Sequence, residues 1–235
     1  MRVIILAGGK GTRLLPYTTV IPKPLMPVGD RPILEIIIRQ LKKCGFSRFT
    51  MAVGYLAELL EAYFGDGSRF GVQIDYSREE KPMGTIGSLG LIDGLDETFM
   101  VMNGDVLTNL SYTQLVDFHK EQDAVATIAT YNKELQIDLG VLDVGEDFRL
   151  RDYKEKPTVK YQVSMGIYVF EPEILQYLQP NGYLDFPDLT LKLIKEGERV
   201  IAFPFDGYWL DIGRHEDYVQ AQEEFAIVTE GLDLD

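Results

Sequence analysis

Hydrophobic and polar positions follow two periods that alternate along the chain. The run from 2 to 7 is short, rich in β-branched residues and stopped by Gly8-Gly9, as is typical of a buried strand that enters a tight loop. Four apolar residues between 34 and 41 then recur at the i, i+3, i+4, i+7 spacing of a helix core face. Repeating this reading predicts strands over 2–7, 49–53, 72–76, 99–102, 124–130, 140–144, 162–170, 200–203 and 208–210. It predicts helices that begin near 32 and 111 or that span 56–64, 172–178, 188–194 and 216–225, followed by a frayed tail over 230–235.

The order of these elements indicates the fold class. Strands that alternate with helices favour an α/β, Rossmann-like fold, with a mostly parallel central sheet and helices on both faces. Ligands of such sheets bind beyond the carboxyl ends of the strands, at a switch point in the strand order. Two polar segments follow predicted strands: Gly8 to Arg13 after the first, and Asn103-Gly104-Asp105 after the fourth. We therefore expect the functional residues there.

Composition narrows the class of protein. The 235 residues are 46% hydrophobic and 26% charged, which is ordinary globular usage and excludes disorder. No apolar run is long enough to span a membrane, and the N-terminal run is too short for a signal peptide. The single cysteine, Cys44, excludes an internal disulfide. We expect a cytoplasmic protein that has no membrane partner.

Charge indicates the kind of ligand. The net charge of −14 disfavours nucleic acid as a partner. The first 29 residues nevertheless contain four cationic side chains and no acid: Arg2, Lys10, Arg13 and Lys23. A cationic, glycine-rich start on an acidic protein indicates a small anionic ligand.

The glycines of this segment fit neither common phosphate-binding code. After Gly9 and Gly11, a dinucleotide fingerprint needs a glycine where Leu14 stands, and a P-loop needs Ser or Thr after Lys10. Backbone N–H groups of a glycine loop can still hold phosphate oxygens. Arg13 offers a planar fork for phosphate and Lys23, between two prolines, offers a point charge.

A longer set of motifs resembles one family, the sugar nucleotidyltransferases (nucleoside-diphosphate-sugar pyrophosphorylases). The motifs are Leu6-Ala-Gly-Gly-Lys-Gly-Thr-Arg-Leu-Leu-Pro16, Pro22-Lys-Pro-Leu-Met-Pro-Val28, Gly84-Thr-Ile-Gly87, Asn103-Gly-Asp105, Gly140-Val-Leu142, Glu155-Lys-Pro157, Met165-Gly-Ile-Tyr168 and Tyr208-Trp-Leu-Asp-Ile-Gly213. They cover almost the whole chain. The resemblance implies a single nucleotidyltransferase domain over 1–235 with a GT-A-like fold, and without the left-handed β-helix domain of many relatives.

The resemblance also implies a reaction. A sugar 1-phosphate attacks the α-phosphorus of a nucleoside triphosphate, and diphosphate leaves. The second pKa of a phosphate monoester is about 6, so the nucleophile is already ionised at neutral pH and needs no protein base. The two histidines agree with this, since we expect His119 on a solvated helix face and His215 on the surface at a helix start.

The site residues are those that match the family motifs. The implied nucleotide-binding residues are Leu6, Ala7, Gly8, Gly9, Gly11, Thr12, Arg13, Met83, Gly84, Thr85 and Asn103. Arg13, Lys23 and Asp105 are the implied catalytic residues, and Asp105 with Asp211 the implied Mg²⁺ ligands. The implied sugar-phosphate-binding residues are Gly140, Glu155, Lys156 and Gly166.

The sequence says less about which nucleotide and which sugar phosphate are the substrates. The loop Met83 to Gly87 resembles that of mannose- and heptose-type guanylyltransferases, which favours GTP. A UTP- or dTTP-dependent hexose-1-phosphate enzyme is the alternative. A non-catalytic nucleotide-sugar-binding regulatory subunit is the alternative of another class, although Arg13, Lys23, Asp105 and Asp211 are all present. A metal-dependent glycosyltransferase is disfavoured because Asp105-Val106-Leu107 lacks a second Asp. The sequence leaves open whether the protein forms a homo-oligomer.

Overall fold

A computed structural model describes residues 1–179 and 182–232 of the chain. The expected domain span 1–235 and the expected frayed tail both reach 233–235, which lie outside the described residues. The helices are α1 (Ile33–Lys43), α2 (Ala57–Phe64), α3 (Tyr112–Glu121), α4 (Phe186–Lys195) and α5 (His215–Leu232). The strands are β1 (Arg2–Ala7), β2 (Pro27–Val28), β3 (Arg31–Pro32), β4 (Arg48–Val53), β5 (Gln73–Arg78), β6 (Phe99–Asn103), β7 (Val106–Thr108), β8 (Ala126–Gln136), β9 (Val141–Val144), β10 (Leu150–Lys154), β11 (Thr158–Phe170), β12 (Val200–Phe205) and β13 (Trp209–Asp211).

The central sheet confirms the expected fold class. Its seven strands lie in the order β12-β8-β11-β6-β1-β4-β5. Every neighbouring pair is parallel except the two that β11 makes with β6 and β8. The sheet is therefore mixed but mostly parallel.

Helices cover both faces of this sheet. Val3 and Ile5 of β1 point into a core formed with α1, α2 and α3, and Ile4 points into a second core formed with α4. All three side chains are fully buried. A strand buried on both faces reads as a continuous apolar run, which is why β1 could be predicted from its sequence.

The strand order reverses beside β1. The chain runs outward from β1 to β4 and β5, then returns to pair β6 on the other side of β1. The backbone N–H of Gly104 donates to the carbonyl oxygen of Leu6 at 3.0 Å. The carboxyl ends of β1 and β6 therefore lie side by side, and the two polar segments predicted to be functional meet there.

Part of the chain departs from the predicted elements. Strands β8 and β11 continue past the sheet as a two-stranded ribbon, pairing out to Gln136 and Thr158, and β9 with β10 form an exposed hairpin. The segment 172–178, predicted as a helix, is a 3₁₀ helix over Pro172–Tyr177. None of the described helices combines the length and apolar content needed to cross a bilayer.

One histidine was placed wrongly by its sequence pattern. His119 is fully buried instead of solvated. Its Nδ1 lies 2.7 Å from Thr127 Oγ1 and its Nε2 lies 3.1 Å from Glu171 Oε1. These two polar partners allow a polar ring to be buried between α3 and the sheet.

Candidate active site

The loop after β1 is held in one conformation by short contacts. Gly11 has φ of +60°, a region that side chains rarely adopt, and its carbonyl oxygen accepts from Leu14 N at 2.9 Å and from Thr18 Oγ1 at 2.9 Å. A 3₁₀ turn over Thr12–Leu14 follows. The exposed residues Gly9 and Lys10 lie between the carboxyl end of β1 and this turn.

Gly8 has a separate reason to lack a side chain. A Cβ built on Gly8 would lie 2.6 Å from Oε1 of Glu79, and one built on Gly54 would lie 2.8 Å from the same atom. A Cβ on Gly9 would meet nothing within 4 Å. The Glu79 carboxylate is therefore packed against two glycine backbones.

Two carboxylates distant in sequence meet beside this loop. Strand β7 begins directly after Asp105 and pairs with β13 in antiparallel register, with Val106 opposite Asp211. Ile212 N donates to the carbonyl oxygen of Asp105 at 3.1 Å. Burial raises the pKa of Asp211, and the charge of Asp105 raises it further, while Lys23 and Arg13 offset part of this shift. Asp105 and Asp211 therefore repel one another across a short gap.

Two cations complete the cluster. Lys23 lies in the 3₁₀ turn Lys23–Leu25, and its Nζ forms an ion pair with Oδ2 of Asp105. Arg13 lies against Gly213, where a built Cβ would be 3.3 Å from a guanidinium nitrogen and 3.5 Å from Oδ2 of Asp211. The structure thus brings together Arg13, Lys23, Asp105 and Asp211, the four charged residues expected from sequence.

The carboxylate pair fits a magnesium ion. Oδ1 of Asp105 is buried, with no hydrogen-bond partner among the described residues. That part of the chain contains no cluster of three or more His, Cys, Asp or Glu that could hold a metal. Mg²⁺ is commonly bound by one or two carboxylates, with water and substrate phosphate oxygens as its other ligands. An unpaired acceptor beside a second carboxylate is suited to such an ion.

A cavity of about 630 Å³ opens beside the loop. Among the residues that line it are seven of the expected nucleotide-binding set: Leu6, Gly8, Gly9, Met83, Gly84, Thr85 and Asn103. Ala7 is buried in the core beside them. Gly11, Thr12 and Arg13 lie outside this lining, on the adjoining turn.

The loop from 83 to 87 is fastened by a segment that the sequence did not identify. Thr85 N donates to Asp185 Oδ1 at 3.0 Å, and Phe186 N donates to Thr85 Oγ1 at 2.7 Å. The same segment places Tyr183 and Asp185 in the cavity wall. These contacts join residues a hundred positions apart, so no local sequence signal could reveal them.

Glu79 was also missed. It follows β5 directly, lines the cavity, and accepts from Met83 N at 3.3 Å through Oε2. Burial raises the pKa of its carboxyl group. The available signal was its position after a predicted strand, the same signal that identified Asp105.

A smaller cavity of about 260 Å³ adjoins the first, because Asn103 lines both. Its lining residues include Asp211, Trp209, Gly166 and Lys133. Gly166 has φ of +74°, and a Cβ there would lie 2.5 Å from Nδ2 of Asn103. Trp209 is fixed by its indole N–H, which donates to Met165 O at 3.0 Å.

The remaining expected sugar-phosphate residues lie elsewhere. Tyr153 Oη donates to Glu155 Oε2 at 2.7 Å, and a Cβ on Gly140 would collide with the same hydroxyl. Lys156 is exposed, with φ of +44°. Gly140, Glu155 and Lys156 are absent from the lining of both cavities.

The sequence profile of the nucleotidyl transferase family matches residues 2–227. Among curated proteins, a UTP–glucose-1-phosphate uridylyltransferase of Synechocystis sp. is 39% identical, with 94% of this chain and 62% of that protein covered. A mannose-1-phosphate guanylyltransferase of Mycobacterium tuberculosis is 32% identical, with 94% of this chain and 63% of that protein covered. The chain therefore spans about three fifths of the length of these relatives.

A solved structure also has the same fold. It is of a putative glucose-1-phosphate thymidylyltransferase from Bacillus anthracis in complex with a sucrose, and it superposes with a TM-score of 0.77 at 27% identity. The match covers 95% of this chain and 94% of that one.

Proposed function

The chain belongs to the nucleotidyl transferase family, and from that premise we propose that it is a sugar-1-phosphate nucleotidyltransferase. A phosphate oxygen of the sugar 1-phosphate attacks the α-phosphorus of a nucleoside triphosphate, and the bond from that phosphorus to the departing diphosphate breaks. The observation that carries the proposal is the meeting of Asp105 and Asp211 beside Lys23 and Arg13. Asp211 of this cluster lines the smaller cavity, which adjoins the larger one at Asn103, and we assign one cavity to each substrate.

The reaction needs positioning and charge neutralisation more than proton transfer. In the proposal the backbone from Gly8 to Thr12 holds the triphosphate, Arg13 holds the departing diphosphate, and Lys23 stabilises charge at the α-phosphate. Asp105 and Asp211 hold Mg²⁺, and a bound Mg²⁺ supplies partial neutralisation of the phosphate charges. Neither His119, buried in the core, nor His215, exposed at the start of α5, is assigned a role.

The proposed nucleotide is GTP. Glu79 lines the first cavity, and a carboxylate only accepts hydrogen bonds. Guanine offers two adjacent N–H donors, which a carboxylate can bind with both oxygens. Uracil and thymine offer one N–H between two carbonyl oxygens. The negative carboxylate repels those two oxygens. Mannose- or heptose-type 1-phosphates are the proposed partners of GTP.

A UTP- or dTTP-dependent hexose-1-phosphate enzyme is the second candidate. It is favoured by the 39% identity to the uridylyltransferase from Synechocystis. The two candidates differ only in the base and sugar, so they share the site residues and the metal.

The reaction class and the substrate specificity can both be tested by measuring diphosphate release. Each of the four ribonucleoside triphosphates and dTTP is combined with mannose, heptose and glucose 1-phosphates. Release with GTP and a mannose or heptose 1-phosphate supports the full proposal. Release with UTP or dTTP alone supports the second candidate and removes GTP. If no pair released diphosphate while nucleotide sugars still bound, the regulatory-subunit alternative would replace both.

Substitution of Glu79 tests whether this residue recognises the nucleobase. Glu79→Gln places an N–H donor where guanine needs an acceptor, and hydrogen bonds to charged groups are worth about 1.5–3 kcal/mol, so kcat/KM for GTP should fall by about tenfold or more. The value for UTP should stay level or rise. Glu80→Gln is the matched control, since Glu80 lines the same cavity but is exposed. An equal loss in both variants would remove Glu79 from this role.

A further inference from the structure

An aspartate in the wall of the first cavity stands at the start of a helix that it does not cap. Asp185 directly precedes α4, where an aspartate commonly accepts from N–H groups of the first helical turn. Neither of its carboxylate oxygens accepts from an N–H group of the described helix α4. We propose that Asp185 is a positioning residue, which holds the loop 83–87 in the conformation that binds the nucleotide. This inference rests on the proposed function, in which the first cavity holds the nucleotide.

Both oxygens of Asp185 are used by residues of the cavity wall instead. Oδ1 accepts from Thr85 N at 3.0 Å, and Oδ2 accepts from the hydroxyl of Tyr183 at 2.7 Å. The Tyr183 hydroxyl, and after it the Thr85 N–H, lower the pKa of the Asp185 carboxyl, so this acceptor is ionised at neutral pH. One carboxylate therefore links Thr85 and Tyr183, both of which line the first cavity.

Thr85 supplies the hydrogen bond that the helix would otherwise lack. Phe186 N, the first N–H group of α4, donates to Thr85 Oγ1 at 2.7 Å. The N–H of the loop thus binds the side chain at the helix start, and the N–H of the helix binds the side chain of the loop. This is the reciprocal arrangement of a capping box, formed here between two segments a hundred positions apart. It fixes the loop relative to α4, whereas an ordinary cap would fix only the helix.

The backbone of the segment 182–186 supports the same loop. Leu184 N donates to Met83 O at 2.9 Å, and Leu184 O accepts from Gly87 N at 3.1 Å. A Cβ built on Gly84 would lie 2.4 Å from Leu184 O, so the absence of a side chain there permits the close approach. These backbone contacts remain when the side chain of Asp185 is removed. A substitution at Asp185 therefore tests the position of the loop without detaching it.

The location of Asp185 predicts which kinetic constant it controls. Asp185 lines the first cavity and is absent from the lining of the smaller one. The charged residues Lys23, Asp105 and Asp211 are absent from the lining of the first cavity. A misplaced loop should therefore weaken nucleotide binding equally in the ground state and the transition state, which raises KM and leaves kcat unchanged.

Steady-state kinetics of three variants test the assignment: Asp185→Ala, Asp185→Asn and Asp188→Ala. Asp188 is the matched control, because it is an exposed carboxylate in the first turn of α4 that lines neither cavity. Asp185→Ala should raise the KM for the nucleotide by about two- to twelvefold, the range expected for an ordinary hydrogen bond. Its kcat and its KM for the sugar phosphate should stay unchanged. Asp185→Asn keeps an acceptor oxygen for Thr85 N and should restore most of the affinity, and Asp188→Ala should match the wild type.

Hydrogen exchange of the loop gives a readout that does not depend on catalysis. In Asp185→Ala the N–H of Thr85 loses its acceptor, so peptides that contain residues 83–87 should exchange faster than in the wild type. The same peptides should exchange at the wild-type rate in Asp188→Ala. Faster exchange together with a higher nucleotide KM is the result that supports a positioning role.

Three results overturn the inference in an active enzyme. A lower melting temperature of Asp185→Ala with an unchanged nucleotide KM would make this residue structural only. If Asp185→Asn bound the nucleotide as weakly as Asp185→Ala, the negative charge would matter and not the position of the loop. A higher KM for the sugar phosphate alone would mean that the first cavity does not hold the nucleotide.

Direct binding distinguishes a failure of this inference from a failure of the proposed function. A wild type that releases no diphosphate with any substrate pair contradicts the proposed function. Calorimetric titration with GTP and with UTP then decides the inference, since Asp185→Ala should raise the Kd by the same factor as expected for KM. Equal Kd values for the wild type and Asp185→Ala, or no binding of either nucleotide, would overturn the inference as well.

Discussion

At the residue scale, three glycines that look alike in the sequence have different structural reasons. Gly11 needs its positive φ, and Gly8 needs to lack a Cβ because Glu79 packs against it. Gly9 has open space around it. A glycine-rich loop could be predicted from sequence, but the separate requirement at each position depends on residues that fold against it from elsewhere.

This difference gives a paired prediction. Gly8→Ala forces the flexible end of Glu79 to move, so the protein should fold but lose contacts in the first cavity. Contacts worth about 0.5–1.5 kcal/mol correspond to a rise of about two- to twelvefold in KM for the nucleotide. Gly9→Ala is the matched control and should change that KM by less than the Gly8 variant does. Initial-rate kinetics with the nucleotide varied measure both, and a larger effect at Gly9 would contradict the assignment of the cavity.

The carboxylate pair gives a second prediction at this scale. Asp211→Asn removes one of two neighbouring negative charges that are partly buried, so thermal stability should stay level or rise. Turnover should fall by about a hundredfold or more, because a bound metal ion supplies several kcal/mol of charge stabilisation. Asp143→Asn, on the exposed strand β9, is the control.

Titration of activity with Mg²⁺ distinguishes this effect from misfolding. The Asp211→Asn variant should need a higher Mg²⁺ concentration for half-maximal rate, while the Asp143→Asn variant should match the wild type. Full wild-type activity in excess chelator would contradict the metal site.

At the element scale, strands buried on both faces could be predicted because their sequences are continuous apolar runs. Strand β13 was predicted only approximately, as 208–210, and β7 was not predicted, since each strand has three residues and the pairing of the two leaves no periodic pattern. Yet this pair brings Asp105 and Asp211 together. The motifs identified the two carboxylates as candidates, and the register of β7 and β13 explains how they meet.

His119 shows the same limit on α3. Its helix was predicted to begin near 111, and Ser111 Oγ accepts from Gln114 N at the observed helix start. The sequence predicted that the His119 ring lies on the solvated face of this helix. In the structure, Thr127 of β8 and Glu171, just after β11, provide polar partners for the ring inside the protein. Glu171 also accepts from Thr98 Oγ1 at 2.8 Å, so the ring belongs to a small buried network. A polar residue on a helix therefore cannot be assigned to solvent without knowledge of what packs against it.

The buried ring predicts how stability depends on pH. Burial lowers the pKa of His119, and the adjacent Glu171 offsets this only in part. As the pH falls below about 6.5, the unfolded chain binds a proton at this histidine and the folded protein does not. The free energy of unfolding should therefore fall with acidification, by at most about 1.4 kcal/mol per pH unit for one histidine.

Urea unfolding at pH 7.5 and at pH 5.8 measures this effect while avoiding the range where carboxylates titrate. His119→Gln keeps hydrogen-bonding capacity but does not titrate, so its stability should change less between the two values. His215→Ala, at an exposed position, should keep the wild-type dependence. Equal slopes for the wild type and His119→Gln would contradict a lowered pKa.

At the scale of the whole molecule, a compact sheet carries a ribbon that extends beyond it. The smaller cavity lies at the base of this ribbon and is lined by Lys133 of β8 and Val163 of β11. All nine residues of β9 and β10 are exposed, including apolar ones such as Leu142 and Leu150. The sequence implied one domain through its resemblance to the family, whose motifs cover almost the whole chain. It gave no sign of the ribbon's outer half, where polar residues alternate without a buried face.

The exposed hairpin predicts where proteolysis begins. A protease cuts where the chain is exposed and can open locally. The turn between β9 and β10 places Phe148 at 91% exposure, and the Arg149 side chain is 86% exposed. Limited trypsin digestion should therefore cut first after Arg149 or Arg151, before Arg39 or Arg48 near the sheet.

The two fragments should stay associated on native gel filtration, because β8 and β11 belong to different fragments but pair over ten positions. Mass spectrometry of early time points identifies the sites. First cuts within α1 or the central strands would mean that the sheet opens more readily than the hairpin, which contradicts the burial of its core.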